Sequence, residues 1–480
     1  MYKRQHPITI LFEIKLRDLA PIAIFLISAK GKFPFWYLVP IGFFAIAVIS
    51  TFVSWYYKTY WVENNILHIK QGMFTKKESY LNKDRVQTIN TSSNILYQIL
   101  GLTKLKIETA GGADEAEVQL VGITQEEAAS LIAMLNTNSD VNDVSELEIT
   151  SIEKKEHNTV AYTLTWKEIL LASITSGKFG LLFSILFILA DKIQDIMPNH
   201  IVKKIEHYVE TYVSESDIAG WVYMIIALLL LSWIVSTIQY ALQHANFTIS
   251  RKGNEIRISQ GLLERKELVL KTHRIHGIKI KEGILRKPFG YCSVHVEAIQ
   301  KFEEGQTDVT IHPLMKKKKV QEMLQYLQLP YDISSEMTRL PKTAMRRHML
   351  DNFVFACIVA VPIIGASIYF HKHFLFALLL PLFLVSIWLG HAQYKAGGYR
   401  IDDDQLTISY RKIAKYTVFA KRRHIQSLKK SQSYFQKKDA LCTYHFHNAS
   451  AGHTLEHVRM EDAEKMQSWY KKSNEKITLM

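Results

Sequence analysis

The stretch KKESYLNKDRVQTI, residues 76–89, decides the fold because a near copy, RKELVLKTHRIHGI, stands at residues 265–278. The two stretches align without a gap at a separation of 189 positions, and the same separation matches Gly72 with Gly261. A more divergent third version, YTVFAKRRHIQSL at residues 416–428, is offset from the first by 339 positions. The chain therefore contains three copies of one structural unit.

A pair of apolar segments precedes each copy. A helix needs roughly 20 apolar residues to cross a bilayer, and several segments approach that length. The pairs are residues 19–29 with 35–53, 179–190 with 221–238, and 353–370 with 374–390. Segments 19–29 and 179–190 are short, and the repeat is the main reason to count them as spans. The sequence predicts a membrane protein with three modules, each of two transmembrane helices followed by a soluble unit.

The repeat and the apolar pairs together predict the domain limits. The soluble units are separated by membrane pairs and polar linkers. The predicted segments are an N-terminal segment with the first transmembrane pair (1–57), unit 1 (58–137), a linker (138–165), the second pair (166–240) with an external loop (191–219), unit 2 (241–330), a linker (331–350), the third pair (351–392) and the divergent unit 3 (393–480).

Charge predicts the orientation in the membrane. An even number of spans between units puts all three units on one side. Basic residues flank the spans on that side, whereas the loop 191–217 carries three lysines and six acids. By the positive-inside rule the units are predicted to be cytoplasmic. Three widely spaced cysteines, Cys292, Cys357 and Cys442, fit a reducing compartment. Charged residues interrupt the first apolar stretch, so we expect no cleavable signal peptide.

Within a unit, alternating patterns predict short strands. Leu67 and Ile69 alternate with polar residues before Gly72, the pattern of a half-buried strand. Each unit then ends in a helical stretch, and in the first unit Thr124 and Glu127 have capping-box spacing. Short antiparallel strands closed by one helix predict a small barrel or split sandwich whose open end the helix covers. The repeated glycines are predicted to be turn or bulge positions.

These features resemble a known family, the bacterial pleckstrin-homology-like (PH-like) domain proteins of the YdbS and YdbT kind. The resemblance rests on L-x-I-x-x-G ending at Gly72, on R-[VI]-[QH]-x-I beginning at Arg85 and Arg274, and on I-L-x-x-x-[LF]-G ending at Gly101 and Gly290. It covers essentially the whole chain, the third copy least well. It implies PH-like β-barrels with a C-terminal capping helix, anchored in the cytoplasmic membrane of a bacterium. It also implies a companion, a small single-unit membrane relative.

The candidate binding residues are basic. The second unit carries 20 lysines and arginines against 11 acids between residues 246 and 347, and the third carries 17 against 9 between 395 and 480. Near an anionic leaflet each such cation contributes about 1 kcal/mol of attraction. The alternatives are a plain topology signal and, for the repeated arginine, a salt bridge to a nearby glutamate. The candidates are Arg85, Arg274, Lys316, Lys317, Lys318, Lys319, Lys421, Arg422 and Arg423.

Two further features were weighed as special sites. Lys178 lies within an apolar stretch, where a cation is either functional or reaches back to the headgroups; the second interpretation is favoured. In the third unit, a hairpin through residues 448–452 would bring His453 opposite His445 and His447, with His457 nearby. The default interpretation is a polar strand pair, and no metal or cofactor is predicted.

The sequence contains no recognisable catalytic motif, and no aromatic-interleaved basic groove that would indicate nucleic acid binding. We expect no enzymatic activity and no catalytic residues. The favoured hypothesis is a membrane scaffold whose units bind a protein partner or anionic lipid, in envelope stress or resistance to membrane-active toxins. The alternative is a transport or export component that moves a lipid or peptide; replacing Lys178 or Pro362 would then abolish activity. The third copy is predicted to be where specificity has diverged, since it lost the arginine and the glycines.

Overall fold

The computed structural model describes residues 2–10, 38–64, 66–73, 75–82, 86–109, 117–135, 160–176, 218–298, 308–333, 336–369, 371 and 373–477. The chain divides into two compact units, Met1–Thr159 with Asn246–Leu270, and Val160–Ala245 with Lys271–Met480. This division does not follow the repeats, because it cuts the second predicted copy (241–330) between its third and fourth strands. The physical reason is that strands of neighbouring copies pair with each other.

The first compact unit contains two sheets. Its elements, numbered along the chain, are β1 (Lys3–Arg4), α1 (Leu38–Tyr57), β2 (Thr59–Glu63), β3 (Ile66–Gln71), β4 (Lys77–Asn82), β5 (Val86–Asn94), α2 (Ile95–Ile99), β6 (Leu102–Thr109), β7 (Glu117–Thr124), α3 (Gln125–Leu135), β9 (Thr248–Lys252), β10 (Glu255–Gln260) and β11 (Glu264–Lys271). One sheet has the order β1-β2-β3-β4, and the other runs β7-β6-β5-β11-β10-β9. The last three strands come from the second copy.

The core of the first copy lies between these strands and α3. The alternation predicted for β3 is confirmed, because Leu67 and Ile69 are both buried. They pack with Leu105, Leu120 and, from α3, Leu131. The N-terminal cap of α3 is half of the predicted capping box: the Glu127 amide donates to Thr124 Oγ1 at 3.2 Å. The Glu127 carboxylate turns instead to Lys3, at 2.7 Å.

The second compact unit continues the same scheme. Its elements are β8 (Val160–Thr163), α4 (Trp166–Ile174), α5 (Ile218–Gln243), β12 (Ile275–Glu282), β13 (Tyr291–Ala298), β14 (Asp308–Lys316), α6 (Val320–Tyr326), β15 (Thr338–Arg339), α7 (Lys342–Tyr369), α8 (Leu379–Ala396), β16 (Gly398–Ile401), β17 (Gln405–Arg411), β18 (Lys415–Lys421), β19 (Ile425–Ser431), α9 (Tyr434–Lys438), β20 (Leu441–Asn448), β21 (Gly452–Arg459) and α10 (Met460–Ile477). One sheet runs β14-β13-β12-β18-β17-β16-β15, and the other is β19-β20-β21.

The predicted closing helix follows the last strand of each copy, as α3, α6 and α10. In the third copy Met466 of α10 is fully buried against Leu406, Val418 and Phe446 of the strands. The apolar side of the helix thus completes the core that the strands leave open. The prediction of strands followed by a capping helix is confirmed in each copy. The mixed sheets draw strands from two copies, which the sequence did not predict, and a separate barrel for each copy therefore stays unconfirmed.

Three helices of the described residues are long and apolar enough to cross a membrane: Ile225–Gln243, Lys342–Tyr369 and Phe376–Ala396. They correspond to the predicted segments 221–238, 353–370 and 374–390. The apolar helix Ile41–Tyr57 matches the prediction 35–53 but is shorter. The predicted spans 19–29 and 179–190, Lys178 and the loop 191–217 lie outside the described residues. The arrangement of two spans before every copy therefore stays a prediction.

The third helix pair packs closely at one glycine. A Cβ added at Gly390 of α8 would lie 2.7 Å from the Met349 Cα and 2.8 Å from the His348 carbonyl oxygen of α7. Small residues at such crossings let helix backbones approach each other in a membrane. Beside this crossing, Asn352 donates to Gln393 Oε1 at 2.6 Å. The two helices of this hairpin are therefore held by a close backbone approach and a polar contact.

The repeated glycines occupy left-handed backbone positions, as predicted. Gly72 and Gly261 have φ of 97° and 104°, and Gly101 and Gly290 have φ of 65° and 70°. In the third copy Ala440 stands where Gly101 and Gly290 stand, and it keeps the left-handed conformation with φ of 51°. The turn between α9 and β20 therefore keeps the backbone conformation of the corresponding turns in the other two copies, although alanine disfavours the left-handed region.

We predict that Ala440→Gly stabilises the protein by about 0.5–1 kcal/mol, because glycine removes the clash of a Cβ in the left-handed region. The gain is smaller than the full strain since glycine also loses more conformational entropy on folding. Urea denaturation of the purified protein in detergent measures the change. The reciprocal variant Gly290→Ala serves as the control and is expected to destabilise. A lower stability of Ala440→Gly would contradict the explanation.

A second prediction concerns acid stability. His312 of β14 is 4% exposed, and burial lowers its pKa to about 4. The unfolded chain takes up this proton near pH 6.5, whereas the folded chain does so only near its lowered pKa. Between these values the unfolded state binds more protons, so stability is lost as the pH falls. From pH 7 to pH 4.5 the wild type is expected to lose about 2–3 kcal/mol more than His312→Gln, measured by urea denaturation. Parallel losses would refute the assignment.

Candidate functional site

The predicted basic residues lie on turns rather than on one face. Arg85 lies outside the described residues. Arg274 ends the 3-10 turn between β11 and β12. Lys316–Lys319 end β14 and form the turn before α6, where all four lysines are exposed. The third group, residues 421–423, ends β18 and forms the turn before β19.

Several of these residues already have partners. The Arg422 guanidinium donates to the Trp469 carbonyl oxygen at 3.2 Å and lies 4.8 Å from the centre of the Trp469 ring. Arg422 therefore fastens the capping helix α10 to the barrel, which is a structural role. Lys421 lies 3.7 Å from Asp404. The glutamates of the repeated stretch lie beside lysines: Lys70 pairs with Glu78 at 2.7 Å and Lys106 with Glu108 at 3.3 Å.

Lys317 is the predicted residue that contributes to a cavity. This cavity has a volume of 470 Å³, and its floor is the face of the sheet where β12, β18 and β17 lie side by side. Directly paired residues of neighbouring strands share a face, and Ile280, Thr417 and Ser409 form one such row across the three strands. All three line the cavity. The pairing of the second copy with the third therefore builds the floor.

The walls of the cavity come from the ends of two membrane helices. Lys395 and Ala396 close the C-terminal end of α8, and Arg339 stands three residues before α7 begins at Lys342. Both helices are candidate membrane spans by length and composition. The cavity lies on the side where α8 ends and α7 begins, beyond the apolar stretches 374–390 and 353–370.

Cations outnumber acids around the cavity. Lys317, Arg339, Lys395 and Lys415 line it, and Glu336 is the acid among the described lining residues. One further acid, Glu282, is buried below and pairs with Lys317 at 2.9 Å. The local excess of positive charge creates a field that favours an anion.

Burial and crowding both act on Lys415. Burial lowers the pKa of its ammonium group; Glu282 opposes this effect, and the neighbouring cations Lys317, Lys287 and Arg411 lower the pKa further. The pKa of Lys287 is lowered in the same way, by burial first and by Arg411 next. These groups repel each other because the charge between them is not neutralised. A phosphate placed among them would relieve that repulsion.

Arg411 belongs to the same row of charged side chains and is buried. It lies directly opposite Lys415, which in turn lies opposite Glu282, so the three side chains share one row. Arg411 is 9% exposed, and its Nε is buried without a hydrogen-bond partner among the described residues. Burial lowers the pKa of its guanidinium, with Glu282 opposing. A buried cation that lacks a hydrogen bond at one nitrogen is costly. Arg411 itself lines a neighbouring cavity of 150 Å³ rather than the one that Lys415 lines.

Sequence reasoning missed Arg339, Lys395, Arg411 and Lys415 because they are scattered through an otherwise ordinary sequence. One signal was present: Arg411 stands where Gly72 and Gly261 stand in the other copies. The loss of the glycine is visible in the sequence, and so is the charge that replaces it. The neighbours in space of this arginine depend on the strand register, which the sequence does not reveal.

A second polar cluster, centred on Glu297 of β13, lies in the same compact unit. Glu297 is fully buried; Asn448 Nδ2 donates to it at 2.7 Å, and His453 Nε2 lies 2.8 Å away. Lys279 lies 3.8 Å from Glu297 and 2.5 Å from Asp308. Burial alone would raise the pKa of Glu297, but the hydrogen bond and charge of His453, with Lys279 and Asn448, lower it overall. Glu297 Oε2 takes the hydrogen bonds, while Oε1 has none among the described residues and faces His453 and Lys279 as charges. The partners of Glu297 all come from the protein, so this cluster is a structural network.

The four histidines of the third copy do not form the metal-like group considered from sequence. The hairpin register places His453 opposite Phe446 and His445 opposite Thr454. His453 and His445 therefore face opposite sides of the hairpin. His445 instead contacts Ser431 and Thr454 at 3.1 and 2.9 Å. The default interpretation, a polar strand pair, describes this hairpin.

His457 joins a different group, with His348 and Glu456, whose possible ligand atoms lie within 4.8 Å of one another. The hydrogen bonds do not favour a metal here. Gln436 Oε1 accepts from the Ser433 amide at 2.9 Å, so Gln436 Nε2 is a donor toward His457 Nδ1 at 3.2 Å. His457 Nε2 must then carry the proton, and it donates to Asp351 at 3.0 Å. A protonated nitrogen offers no lone pair to a metal.

Comparisons with known proteins agree with the repeat. A family model described as Bacterial PH domain matches residues 11–138, 188–330 and 353–474. The chain is also similar to the UPF0699 transmembrane protein YdbT of Bacillus subtilis (strain 168), with 30% identity over 497 residues that cover 98% of each chain. The three matched stretches coincide with the three copies. The chain therefore belongs to the bacterial PH domain family and resembles a transmembrane member of it along its whole length.

Proposed function

We propose that this protein is a non-enzymatic integral membrane scaffold that presents PH-like units at the cytoplasmic face and holds the phosphate of an anionic lipid in the basic cavity. The single observation that carries the proposal is the cavity lined by four cations at the ends of two candidate membrane helices, with the buried Arg411, whose Nε has no hydrogen-bond partner among the described residues, on the same face of the sheet. A lipid phosphate is an anion that a site at the end of a membrane helix could reach.

The charge of the soluble copies supports the same view. The second and third copies hold the basic excess, and the cavity is built by strands of these two copies. An arginine and several lysines around one anion are a common arrangement for phosphate recognition. Lys318, Lys319 and Arg423 are exposed as well but do not line this cavity.

The test uses the full-length protein, because the second copy is divided between two compact units and a fragment would expose paired strands. The protein in detergent is titrated with phosphatidylglycerol, with phosphatidylcholine and with inorganic phosphate, and its melting temperature is followed at low and high salt. Ligands that bind the folded state stabilise it by mass action. We expect stabilisation by phosphatidylglycerol and, more weakly, by phosphate, and less of both at high salt.

Equal stabilisation by the anionic and the zwitterionic lipid would contradict the proposal and leave the basic residues as a topology signal. Orientation is tested separately, by protease access to the PH-like units in sealed right-side-out and inverted vesicles. Binding to a protein partner, including a small single-unit membrane relative, and roles in envelope stress or toxin resistance remain predictions from the sequence.

A further inference from the structure

Two joints between strands connect consecutive copies, one in each compact unit. β5 of the first copy pairs antiparallel with β11 of the second, and β12 of the second pairs with β18 of the third. Thr91 lies opposite Glu267 in the first joint, and Ile280 lies opposite Thr417 in the second. By the spacing of the repeats, Ile280 is the counterpart of Thr91 and Thr417 that of Glu267. The two joints therefore have the same register.

Each joint pairs a strand of one copy with the following type of strand in the next copy. At the two ends of this series of three copies, one strand of each type lies at the edge of its sheet. β4 is the counterpart of β11 and β18, and β19 is the counterpart of β5 and β12. Within the part of the chain that the structure describes, β4 ends one sheet and β19 ends another. Their burial differs from that of their paired counterparts: most of β4 and β19 is exposed, whereas four of the seven residues of β18 are buried.

The part of the β19 edge that is free among the described residues corresponds to the part of β12 that pairs with β18. Tyr470 Oη lies 3.2 Å from the carbonyl oxygens of Ile425 and Gln426, at the start of the strand. The counterparts of these two residues, at positions 275 and 276, also precede the paired stretch of β12, which begins at Gly277. Residues 427–431 correspond to the part of β12 that pairs with β18, and they follow the two residues that Tyr470 contacts.

Extending the common register to β19 and β4 gives complementary pairs. Lys430, the counterpart of Ile280, would lie opposite Glu78, the counterpart of Thr417. Glu78 already pairs with Lys70 of its own chain at 2.7 Å, so Lys430 would be a second cation beside it. Leu428 and Tyr80 would meet where Ile278 and Phe419 meet in the internal joint. Tyr80 is 63% exposed, so its ring is accessible to a neighbouring strand. A charge pair and an apolar pair side by side are the contacts that stabilise neighbouring strands.

We propose that two copies of this protein associate head to tail, with β19 of one copy adding to β4 of the other in the register of the internal joints. The contact continues the series of PH-like copies from one chain into the next. Because it joins two different surfaces, it builds either a closed ring with no free edge or an open row with one free edge at each end. The proposal does not depend on lipid binding.

The test is cysteine cross-linking between full-length chains in membranes. One chain carries Leu428→Cys and a second, differently tagged chain carries Tyr80→Cys, both with Cys357→Ser, because native Cys357 is exposed. The matched control pairs Leu428→Cys with Ser79→Cys, whose side chain points to the other side of β4. Mild oxidation is expected to give at least ten-fold more mixed-tag dimer for the first pair than for the control.

Charge reversal gives an independent readout. Lys430→Glu is expected to reduce the cross-link several-fold, and pairing that chain with one carrying Glu78→Lys is expected to restore it. Equal cross-linking in and out of register would overturn the proposal. So would the absence of cross-links while the variants keep the melting temperature of the wild type, since lysines at a sheet edge would then be acting to prevent association.

Discussion

Arg411→Met is expected to make the lipid-free protein more stable and to abolish its stabilisation by anionic lipid. Arg411 is buried with an unpaired Nε, and Lys415 lies directly opposite. Replacing such a buried charge by an apolar side chain of similar length removes a desolvation cost and a repulsion, a gain of about 1–4 kcal/mol. The same change removes the cation that a phosphate would meet, so lipid affinity is expected to fall at least ten-fold.

The measurement is the melting temperature of the variant with and without phosphatidylglycerol. Lys412→Met is the matched control: it removes a neighbouring cation that is exposed, and it should change neither quantity appreciably. Lys415→Met should resemble Arg411→Met, more weakly because Lys415 is less buried. If Arg411→Met destabilised the lipid-free protein and left the lipid response intact, Arg411 would be a structural residue and the proposed site would be wrong.

The opposite signs expected for stability and binding explain why the third copy departs from the other two. At the position of Gly72 and Gly261, which adopt left-handed conformations, the third copy has Arg411 as the last residue of β17. At the position of Gly101 and Gly290 it has Ala440, still left-handed. Ala440 is expected to destabilise the turn, and the described residues show no contact that offsets this loss. The first change places a cation on the strand face that also carries Lys415 and Glu282; that specificity diverged in this copy stays a prediction.

The sequence predicted the local elements well because they depend on neighbouring residues. Alternation identified strands such as β3, helical spacing identified α3, and apolar length identified the spans in the third pair. It did not predict that β11 would pair with β5 of the previous copy rather than close its own sheet. A period of two fixes which face of a strand is buried, but it does not name the strand that lies alongside. The cavity escaped prediction for this reason, since its floor is such a pairing.

Glu297→Ala is expected to cost about 3–5 kcal/mol, the largest loss of stability among these variants, because it leaves buried polar partners without their acceptor. Asn448 Nδ2 and His453 Nε2 both bind this carboxylate at hydrogen-bond distance. Lys279 would keep Asp308 at 2.5 Å, and His453 would keep its contact with the Tyr410 hydroxyl at 3.2 Å. The loss therefore falls mainly on Asn448 and on one nitrogen of His453.

The first copy supplies a matched control for this network. Glu108, the counterpart of Glu297, has 14% of its side chain exposed and pairs with Lys106 of its own strand. Glu108→Ala is expected to cost less than Glu297→Ala, because Glu108 is partly exposed, whereas removing Glu297 leaves a buried asparagine and histidine without their acceptor. Urea denaturation in detergent, followed by tryptophan fluorescence, measures both variants. Glu297→Gln should fall between them, since the amide oxygen still accepts from Asn448 while the charge beside Lys279 is lost. Equal losses for the two alanine variants would mean that the buried cluster contributes no more than a partly exposed pair, and the joint between the second and third copies would then be held by its strand pairing alone.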